Sequence, residues 1–271
     1  GNVERAVQQA LPVHMSLANG EARTSAGWAF EFLRRNPKFI SAVESREKRT
    51  LPSKGVGGVA VFTVGEGESR EGFGVLFCDR CDRPIDNTIV FWERDLSADI
   101  IDARIVNSPA DETEDNVLKL EKFKCDKILL TGPDQTPQLL LKTGSKQIQI
   151  NCIGGELLSG GRAIIPQIAP GRNIERQLLA MRRLFHLYSA SEFAETLFKP
   201  DAKSARLGEV LTALDLWLRQ TPMRDIAVAL YGEQIVNEDW APEGGYLIDR
   251  VRRSIRRGRF MMEKGYRQLL M

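Results

Sequence analysis

The sequence predicts an α+β protein: an N-terminal helix plus a mostly antiparallel β region, followed by a C-terminal helical domain. From residue 56 to about residue 166, short apolar runs alternate with Gly, Pro, Asp and Asn, which is typical of strands joined by turns. From residue 173 onward, apolar residues recur every three or four positions, as on one face of a helix. The β region shows no strand–helix–strand alternation, so we expect mostly antiparallel pairing.

The N-terminal helix is predicted at residues 25–35, where aromatic side chains lie four positions apart. It ends before Pro37, because the residue that precedes a proline disfavours the helical backbone. Arg34 and Arg35, at the end of this helix, could contact phosphate. We favour the interpretation that they mark the polar side of a core helix.

Six strands are predicted in the β region, and two turn signals connect some of them. The strands are predicted at residues 59–64, 74–77, 88–92, 127–130, 138–141 and 147–150. Residues 131–136 and 143–146 have the composition of hairpin turns. An acidic loop at residues 111–115 interrupts the strand pattern.

The helical half begins at Asn173. The residues that follow carry an apolar seam with spacings of four, three, four and three: Ile174, Leu178, Met181, Phe185 and Tyr188. We expect this seam to pack on another helix of the same domain, and a contact between subunits is the alternative. A second helix is predicted at residues 205–219, with Ser204 as its cap. These two helices are expected to form the platform for the helices that follow.

Positive charge is concentrated near the C-terminus. Residues 249–267 contain seven Arg and one Lys against two acidic residues, a net charge of 8 − 2 = +6, whereas the whole chain carries +2. At about 100° per residue, Leu247, Val251, Ile255 and Met262 share one stripe of a helix, and the arginines occupy the rest. A merely solvated, salt-bridged face would carry interleaved acids, so the pattern favours binding to a polyanion.

The arginine side chains are the candidate DNA-binding residues, because a planar guanidinium can pair with phosphate or with the edge of guanine. The candidates are Arg250, Arg252, Arg253, Arg256, Arg257 and Arg259, together with Arg224 on the preceding helix. Arg250 and Arg253, nearer the helix start, are expected to contact base edges. Arg256, Arg257 and Arg259 are expected to contact the DNA backbone.

A short helix at residues 222–231 precedes the basic one, and this order predicts a variant helix-turn-helix. Pro222 fits its first position, and Gly232 can end it in a left-handed conformation. The connection from Gly232 to about Gly244 is longer than the usual turn of about 3–4 residues. We expect a loop there, held on the core by Trp240.

These motifs resemble the RovC-like DNA-binding domain of bacterial transcription factors. The resemblance rests on residues 230–232, 239–240, 249–253 and 265–270, with a further similarity at residues 28–37. It covers nearly the full length but is diffuse between about residues 95 and 174. The family includes the activator RovC of type VI secretion genes and is related to FseA-like regulators of mobile elements. The resemblance therefore implies a DNA-binding regulator, an activator by analogy, which assembles into dimers or higher oligomers up to hexamers.

Several other functional classes find no support in the sequence. No apolar run approaches the ~18 residues of a membrane span, and no signal peptide is recognisable. Cys78 and Cys81 have the spacing of a zinc knuckle but lack two further ligands, so no metal is expected. The glycine-rich stretches at residues 55–58 and 65–67 lack the Gly-Lys-Ser/Thr of a phosphate loop. With no catalytic constellation we expect no enzyme and no cofactor, and four cysteines without framework spacing indicate a reducing cytoplasm.

The predicted organisation has three parts. Residues 1–14 are interpreted as an expression-tag remnant, residues 15–170 as a regulatory or oligomerisation region, and residues 171–271 as the DNA-binding domain. Double-stranded promoter DNA, further copies of the chain and RNA polymerase are the expected partners, with no membrane. Two alternatives remain. The basic helix could bind an acidic protein, making the chain an interaction module or antiactivator, or the β region could sense a small molecule.

Overall fold

The computed structural model describes residues 23–47, 53–54, 58–65, 72–107, 120–133, 135–155, 157–158, 162–171, 173–241 and 245–271. Residues 1–14 and the acidic loop at 111–115 lie outside the described residues, as does most of each glycine-rich stretch. The α+β class is confirmed: helices come first, strands lie in the middle, and helices follow. None of the helices among the described residues is both long enough and apolar enough to cross a membrane.

The chain packs into two compact units that do not follow its order. The helical unit contains the described residues of 1–42, residues 81–84 and residues 200–269. The sheet unit contains the described residues of 43–80 and 85–199, with residues 270–271. The helix at residues 174–190 therefore belongs to the sheet unit by packing, whereas the sequence prediction places it with the helices that follow.

The sheet unit is built on nine strands among the described residues. They are β1 (Ser53–Lys54), β2 (Ala60–Thr63), β3 (Val75–Cys78), β4 (Val90–Trp92), β5 (Ile101–Asn107), β6 (Asp126–Gly132), β7 (Gln135–Thr143), β8 (Lys146–Ile153) and β9 (Arg162–Gln167). Seven strands form one sheet in the order β1-β2-β6-β7-β8-β5-β9, while β3 and β4 pair separately. The pairs β2–β6 and β5–β8 are parallel, and the other neighbours are antiparallel, as predicted for most of the region.

Both predicted hairpins are confirmed. Gly132 pairs with Gln135 between β6 and β7, and Thr143 pairs with Lys146 between β7 and β8. Three strands, β1, β5 and β9, were not predicted. In β5 the apolar pattern is broken by Asp102, which is nevertheless buried because it accepts hydrogen bonds from Arg94 and Asn151.

Alternate residues of the central strands face two different cores. On one face, Leu139, Leu141 and their neighbours pack with α3 (Ile174–Ala190), the helix of the sheet unit. On the other face, Leu140 packs with Phe77 and Phe91 of the small β3–β4 sheet. The two-residue period of a strand therefore buries both faces of this sheet.

The seam predicted on α3 does not pack on another helix of the same domain, and this expectation was wrong. The buried face of α3 consists of Gln177, Ala180, Met181, Leu184 and Leu187, which lie against the sheet. Four of the five seam residues are exposed: Ile174, Leu178, Phe185 and Tyr188. The helix carries two apolar stripes. The sheet covers the stripe that was not predicted to be buried. The helix begins after Asn173, whose side chain caps it by accepting a hydrogen bond from Arg176 N.

Six further α-helices occur among the described residues. They are α1 (Ser25–Leu33), α2 (Pro37–Glu47), α4 (Ser204–Leu218), α5 (Met223–Tyr231), α6 (Glu233–Asp239) and α7 (Tyr246–Glu263), with a 3₁₀ segment at Gly265–Leu269. The sequence prediction missed α2, in which Pro37 is the first helical residue, where a missing N–H costs nothing. It also placed the cap of α4 at Ser204, whereas Ser204 is the first helical residue and its Oγ accepts a hydrogen bond from Trp28 Nε1.

A buried ionic network holds α1 against α4. Arg35 is fully buried, and its guanidinium donates hydrogen bonds to both carboxylate oxygens of Asp215 and to Glu31. Arg34 is also buried, and its Nε donates a 2.7 Å hydrogen bond to Glu31 Oε2. Burial alone would raise the pKa of Glu31, but the neighbouring guanidinium groups hold that pKa below its ordinary value. Arg34 and Arg35 are therefore core residues, neither exposed phosphate ligands nor the solvated side of a helix.

Candidate nucleic-acid interface

The basic segment forms one long amphipathic helix, α7. Its buried side contains the predicted apolar stripe together with Ile248, Ser254, Gly258 and Met261. This side packs on α4 and α5 of the helical unit. A close approach to α4 occurs at Gly258, where an added Cβ would lie 2.8 Å from Leu214 Cβ and 3.1 Å from Val210 O. The packing fixes which side of α7 faces outward.

The outward side of α7 consists mainly of arginines. Five of the six predicted arginines on this helix are exposed: Arg252, Arg253, Arg256, Arg257 and Arg259. Arg250 is half-buried at one border. Arg252 lies 3.4 Å from Asp249, but both side chains are exposed, and such a pair in water contributes little stability. Among the residues that the structure describes, Arg253 and Arg256 have no carboxylate within ion-pair distance.

Three of these arginines lie over aromatic rings. The Arg250 guanidinium is 4.3 Å from the centroid of Tyr231, and that of Arg259 is 4.8 Å from Trp217. The Arg257 guanidinium lies 5.1 Å from Phe260 on α7 itself. A cation over an aromatic face is attracted by the ring quadrupole, by about 0.5–1 kcal/mol at exposed sites. These contacts hold three guanidinium groups against the faces of aromatic rings.

Arg250 belongs to a small cluster in which three helices meet. Tyr231 on α5 donates a hydrogen bond of 3.0 Å from its hydroxyl to Glu209 Oε1 on α4. The same oxygen lies 3.8 Å from Arg250 Nη2, which is an ion pair but too long for a direct hydrogen bond. Burial, with Glu209 adding to it, raises the pKa of Tyr231 to about 12, so its hydroxyl keeps its proton at neutral pH.

The connection before α7 differs from the predicted loop, because it contains the helix α6. Gly232, with φ of 90°, ends α5, and α6 begins at the next residue. This positive φ favours glycine, since a side chain would be strained there. The predicted packing of Trp240 on the helical core is confirmed, and Val236 of α6 is buried in the same core.

The helix α6 occupies the second position of a simple helix-turn-helix but has the wrong charge for DNA. Its exposed residues include Glu233, Glu238 and Asp239 and no basic side chain. Arg224, the candidate outside α7, donates a 2.6 Å hydrogen bond to Asn237 Oδ1 on α6. The structure therefore brings six of the seven candidate residues together on α7 and places Arg224 on the contact between α5 and α6.

The cysteines show no sign of a metal centre in the part of the chain that is described. None of the four forms a disulfide bond, and no group of three or more His, Cys, Asp and Glu side chains there could hold a metal ion. Burial raises the pKa of Cys125 and raises that of Cys152 to about 12, so neither thiol ionises readily.

Sequence reasoning missed Tyr231, Glu209 and Trp217 as parts of the arginine surface. Glu209 and Arg250 are 41 positions apart and lie on different helices, so no spacing rule connects them. Tyr231 stood within a recognised motif, but an aromatic residue at the end of a short apolar helix is more often a core residue.

Comparison with protein families gives a match over this part of the chain. Residues 168–271 match the model of the RovC DNA-binding domain, described as the DNA-binding domain of a type VI secretion system transcription factor. The resemblance predicted from the sequence is thereby confirmed for these residues. A search among curated proteins gave no match. The matched residues include α7 and all three residues of the Arg250 cluster, and the match supports DNA as the partner of this region.

Proposed function

We propose, from the premise that residues 168–271 carry a RovC-type DNA-binding domain, that this protein is a sequence-specific transcriptional regulator of double-stranded DNA. The observation that carries the proposal is the outward side of α7, where five exposed arginines lie beside one another. An α-helix with its side chains has a diameter of about 10–12 Å, which fits the major groove of B-DNA. The helix α7 is the element that enters the groove.

Position around α7 separates two roles for the arginines. At about 100° per residue, Arg253 and Arg256 lie farthest from the buried stripe, so they reach deepest into a groove. Arg250 and Arg259 lie at its two borders, beside the phosphate walls of the groove. We assign Arg253 to the edge of a guanine, and Arg252, Arg257 and Arg259 to the backbone. For Arg250 the border position favours phosphate over the base contact expected from the sequence.

The regulatory role follows the family that the domain matches. We propose that the protein activates transcription of type VI secretion or mobile-element genes, with RNA polymerase as a further partner. Each phosphate contact releases condensed counterions, so the affinity for any duplex falls steeply with salt. Contacts to base edges add the part of the affinity that differs between sequences.

A single helix in a groove buries little surface, and further copies of the chain would supply the rest. The exposed stripe of α3 supports self-association, because its four large apolar side chains are between 41 and 58% exposed. Glu175 and Arg182 flank this stripe, both exposed and seven positions apart. In an antiparallel pair of α3 helices related by a two-fold axis, Glu175 of each copy lies near Arg182 of the other. We propose that α3 is the contact between protomers.

The proposal is tested by fluorescence anisotropy with a promoter duplex and a scrambled duplex across a salt series. Arg253→Ala should reduce the preference for the promoter, by about 1–3 kcal/mol at one base. Arg257→Ala should weaken both duplexes alike and lower the salt slope by about 1. Arg206→Ala, which removes an exposed arginine on α4, is the matched control and should change neither quantity.

The outcomes separate the proposal from its rivals. Equal binding of both duplexes, collapsing with salt, would reduce α7 to an electrostatic contact without sequence preference. If neither duplex binds, the regulator proposal fails, and an acidic protein becomes the partner to seek for the same helix.

A further inference from the structure

The Arg250 cluster joins a cation, a ring and a carboxylate from three helices at the border of the arginine surface. An exposed arginine loses conformational entropy when it binds, and prior immobilisation reduces that cost. The ring of Tyr231 supplies such immobilisation, since the guanidinium lies over it at 4.3 Å. The arrangement also contains an obstacle, because a carboxylate stands beside the cation that a phosphate would have to approach.

The hydroxyl of Tyr231 removes part of this obstacle. It donates its hydrogen bond to Glu209 Oε1, the carboxylate oxygen that lies 3.8 Å from Arg250 Nη2. A direct, charge-assisted Arg–carboxylate hydrogen bond would be about 2.7–2.9 Å long. With its nearest oxygen bonded to Tyr231, Glu209 leaves the outer N–H groups of Arg250 to another acceptor. At 41% exposure, the Arg250 side chain is open to one.

We propose that Tyr231 is a positioning residue of the DNA interface. Its ring fixes the Arg250 guanidinium, and its hydroxyl holds Glu209 back, so that Arg250 is preset to receive a DNA phosphate. This inference rests on the proposed function and extends the interface from α7 onto α5 and α4. Glu209 tunes the affinity, because its charge opposes the approach of the phosphate while its oxygen anchors the ring.

The first test is Tyr231→Phe, which keeps the ring and removes only the hydroxyl. Glu209 is then free to pair directly with Arg250. We expect the affinity for promoter and scrambled duplexes to fall alike, on the order of tenfold, as when one charge-assisted hydrogen bond is lost. The salt slope should fall by about 1, since one phosphate contact is lost. A purely structural role would lower the melting temperature without changing the slope.

Two further variants identify the cause. Glu209→Gln keeps an acceptor for the Tyr231 hydroxyl and removes the negative charge. This variant should therefore bind both duplexes at least as tightly as the unaltered protein does. The double variant Tyr231→Phe with Glu209→Gln should have the same salt slope as the unaltered protein. In an Arg250→Ala background, Tyr231→Phe should have no further effect. Arg206→Ala, an exposed position on α4 outside the arginine surface, is the control and should leave both the affinity and the salt slope unchanged.

The inference is overturned if Tyr231→Phe leaves the salt slope unchanged, or if its effect persists in full without Arg250. Its failure is distinguishable from that of the proposed function. If Arg253→Ala and Arg257→Ala alter DNA binding while Arg250→Ala does not, only the positioning role is lost. If the unaltered protein binds neither duplex, the proposed function fails as well.

Discussion

Asp215 on α4 is one of the two buried carboxylates that pair with Arg35 in the interior of the helical unit. Arg35 has no exposed surface, and Asp215 is 3% exposed. Without Asp215, the buried Arg34 and Arg35 share Glu31 as their carboxylate, which leaves one buried charge uncompensated. Breaking a buried pair in this way typically costs about 3–5 kcal/mol. We therefore expect Asp215→Ala to lower the free energy of unfolding by that amount in urea denaturation. Asp249→Ala, which breaks the exposed pair with Arg252, should change it by at most about 1 kcal/mol. Equal losses in the two variants would contradict this account.

Lys142 is a second buried charge, in the sheet unit, and it gives a prediction for pH. Its Nζ donates a 2.6 Å hydrogen bond to Ile85 O. Burial lowers the pKa of Lys142 to about 8, although the nearby carboxylates of Asp86, Asp126 and Asp79 act to raise it. Because this pKa lies below its unfolded value, the unfolded chain binds more protons between about pH 8 and 10.5. The contribution of Lys142 to stability therefore rises with pH across this window.

Lys142→Met should remove this pH dependence. The free energy of unfolding of the unaltered protein, relative to that of the variant, should rise on the order of 3 kcal/mol from pH 8 to 10.5. Urea denaturation at several values in this range measures the difference, and comparison with the variant cancels the titration of other groups. If the free energies of unfolding of the unaltered protein and of Lys142→Met change in parallel with pH, the Lys142 ammonium is not the group responsible.

At the scale of elements, the contact between α7 and α4 depends on Gly258. Alanine is normally favoured over glycine inside a helix by about 1 kcal/mol. Here its Cβ would meet Leu214 Cβ at 2.8 Å and the backbone oxygen of Val210 at 3.1 Å, and a backbone atom cannot easily give way. We expect Gly258→Ala to lower the melting temperature and to weaken DNA binding, because α7 is displaced from α4.

Gly208 on α4 provides the matched control for this substitution. A Cβ at Gly208 would meet Trp28 Cη2 at 3.6 Å, an ordinary van der Waals contact. Gly208→Ala should therefore leave the melting temperature unchanged or raise it, as helix propensity alone predicts. Thermal unfolding of both variants, followed by circular dichroism, makes the comparison. A melting temperature for Gly258→Ala at or above that of Gly208→Ala would show that the close approach is not limiting.

The elements that the sequence predicts are those with local signals. The hairpins at residues 132–135 and 143–146 are fixed by their turn residues, and α7 by its two-sided pattern. The strand β5 was not predicted, because Asp102 breaks its apolar pattern. The burial of Asp102 depends on Arg94 and on Asn151, which lies 49 positions away. The arginines of the candidate site were recognisable by charge, whereas the partners that orient Arg250 become visible only once three helices are assembled.

The helix α3 shows the same limit in another form. It has apolar residues on two stripes, and a hydrophobic pattern cannot state which stripe a sheet will cover. Residues Ala180, Leu184 and Leu187 pack on the sheet, and four of the five residues of the predicted seam remain exposed. An exposed row of large apolar side chains on a folded chain marks a contact surface.

At the scale of the whole molecule, the exposed stripe of α3 predicts the oligomeric state. Phe185, at 58% exposure, is the most exposed residue of the stripe. Phe185→Glu would place a charge in the proposed contact between protomers, where burial without a partner is costly. We expect light scattering coupled to size-exclusion chromatography to give a smaller particle than for the unaltered protein. Ala190→Glu, at an exposed position on a side of the same helix away from the stripe, is the control that should leave the mass unchanged.

Charge exchange tests the antiparallel arrangement itself. Glu175→Arg should weaken self-association by placing two arginines together at each end of the helix pair, and Arg182→Glu should do so by placing two glutamates there. The double variant recreates both pairs with reversed signs, so it should restore the mass of the assembly. A parallel pair, or a different partner surface, would give no such rescue. Because the stripe lies outside α7, Phe185→Glu should bind DNA with one half-site as the unaltered protein does. It should lose affinity only for DNA that carries two half-sites.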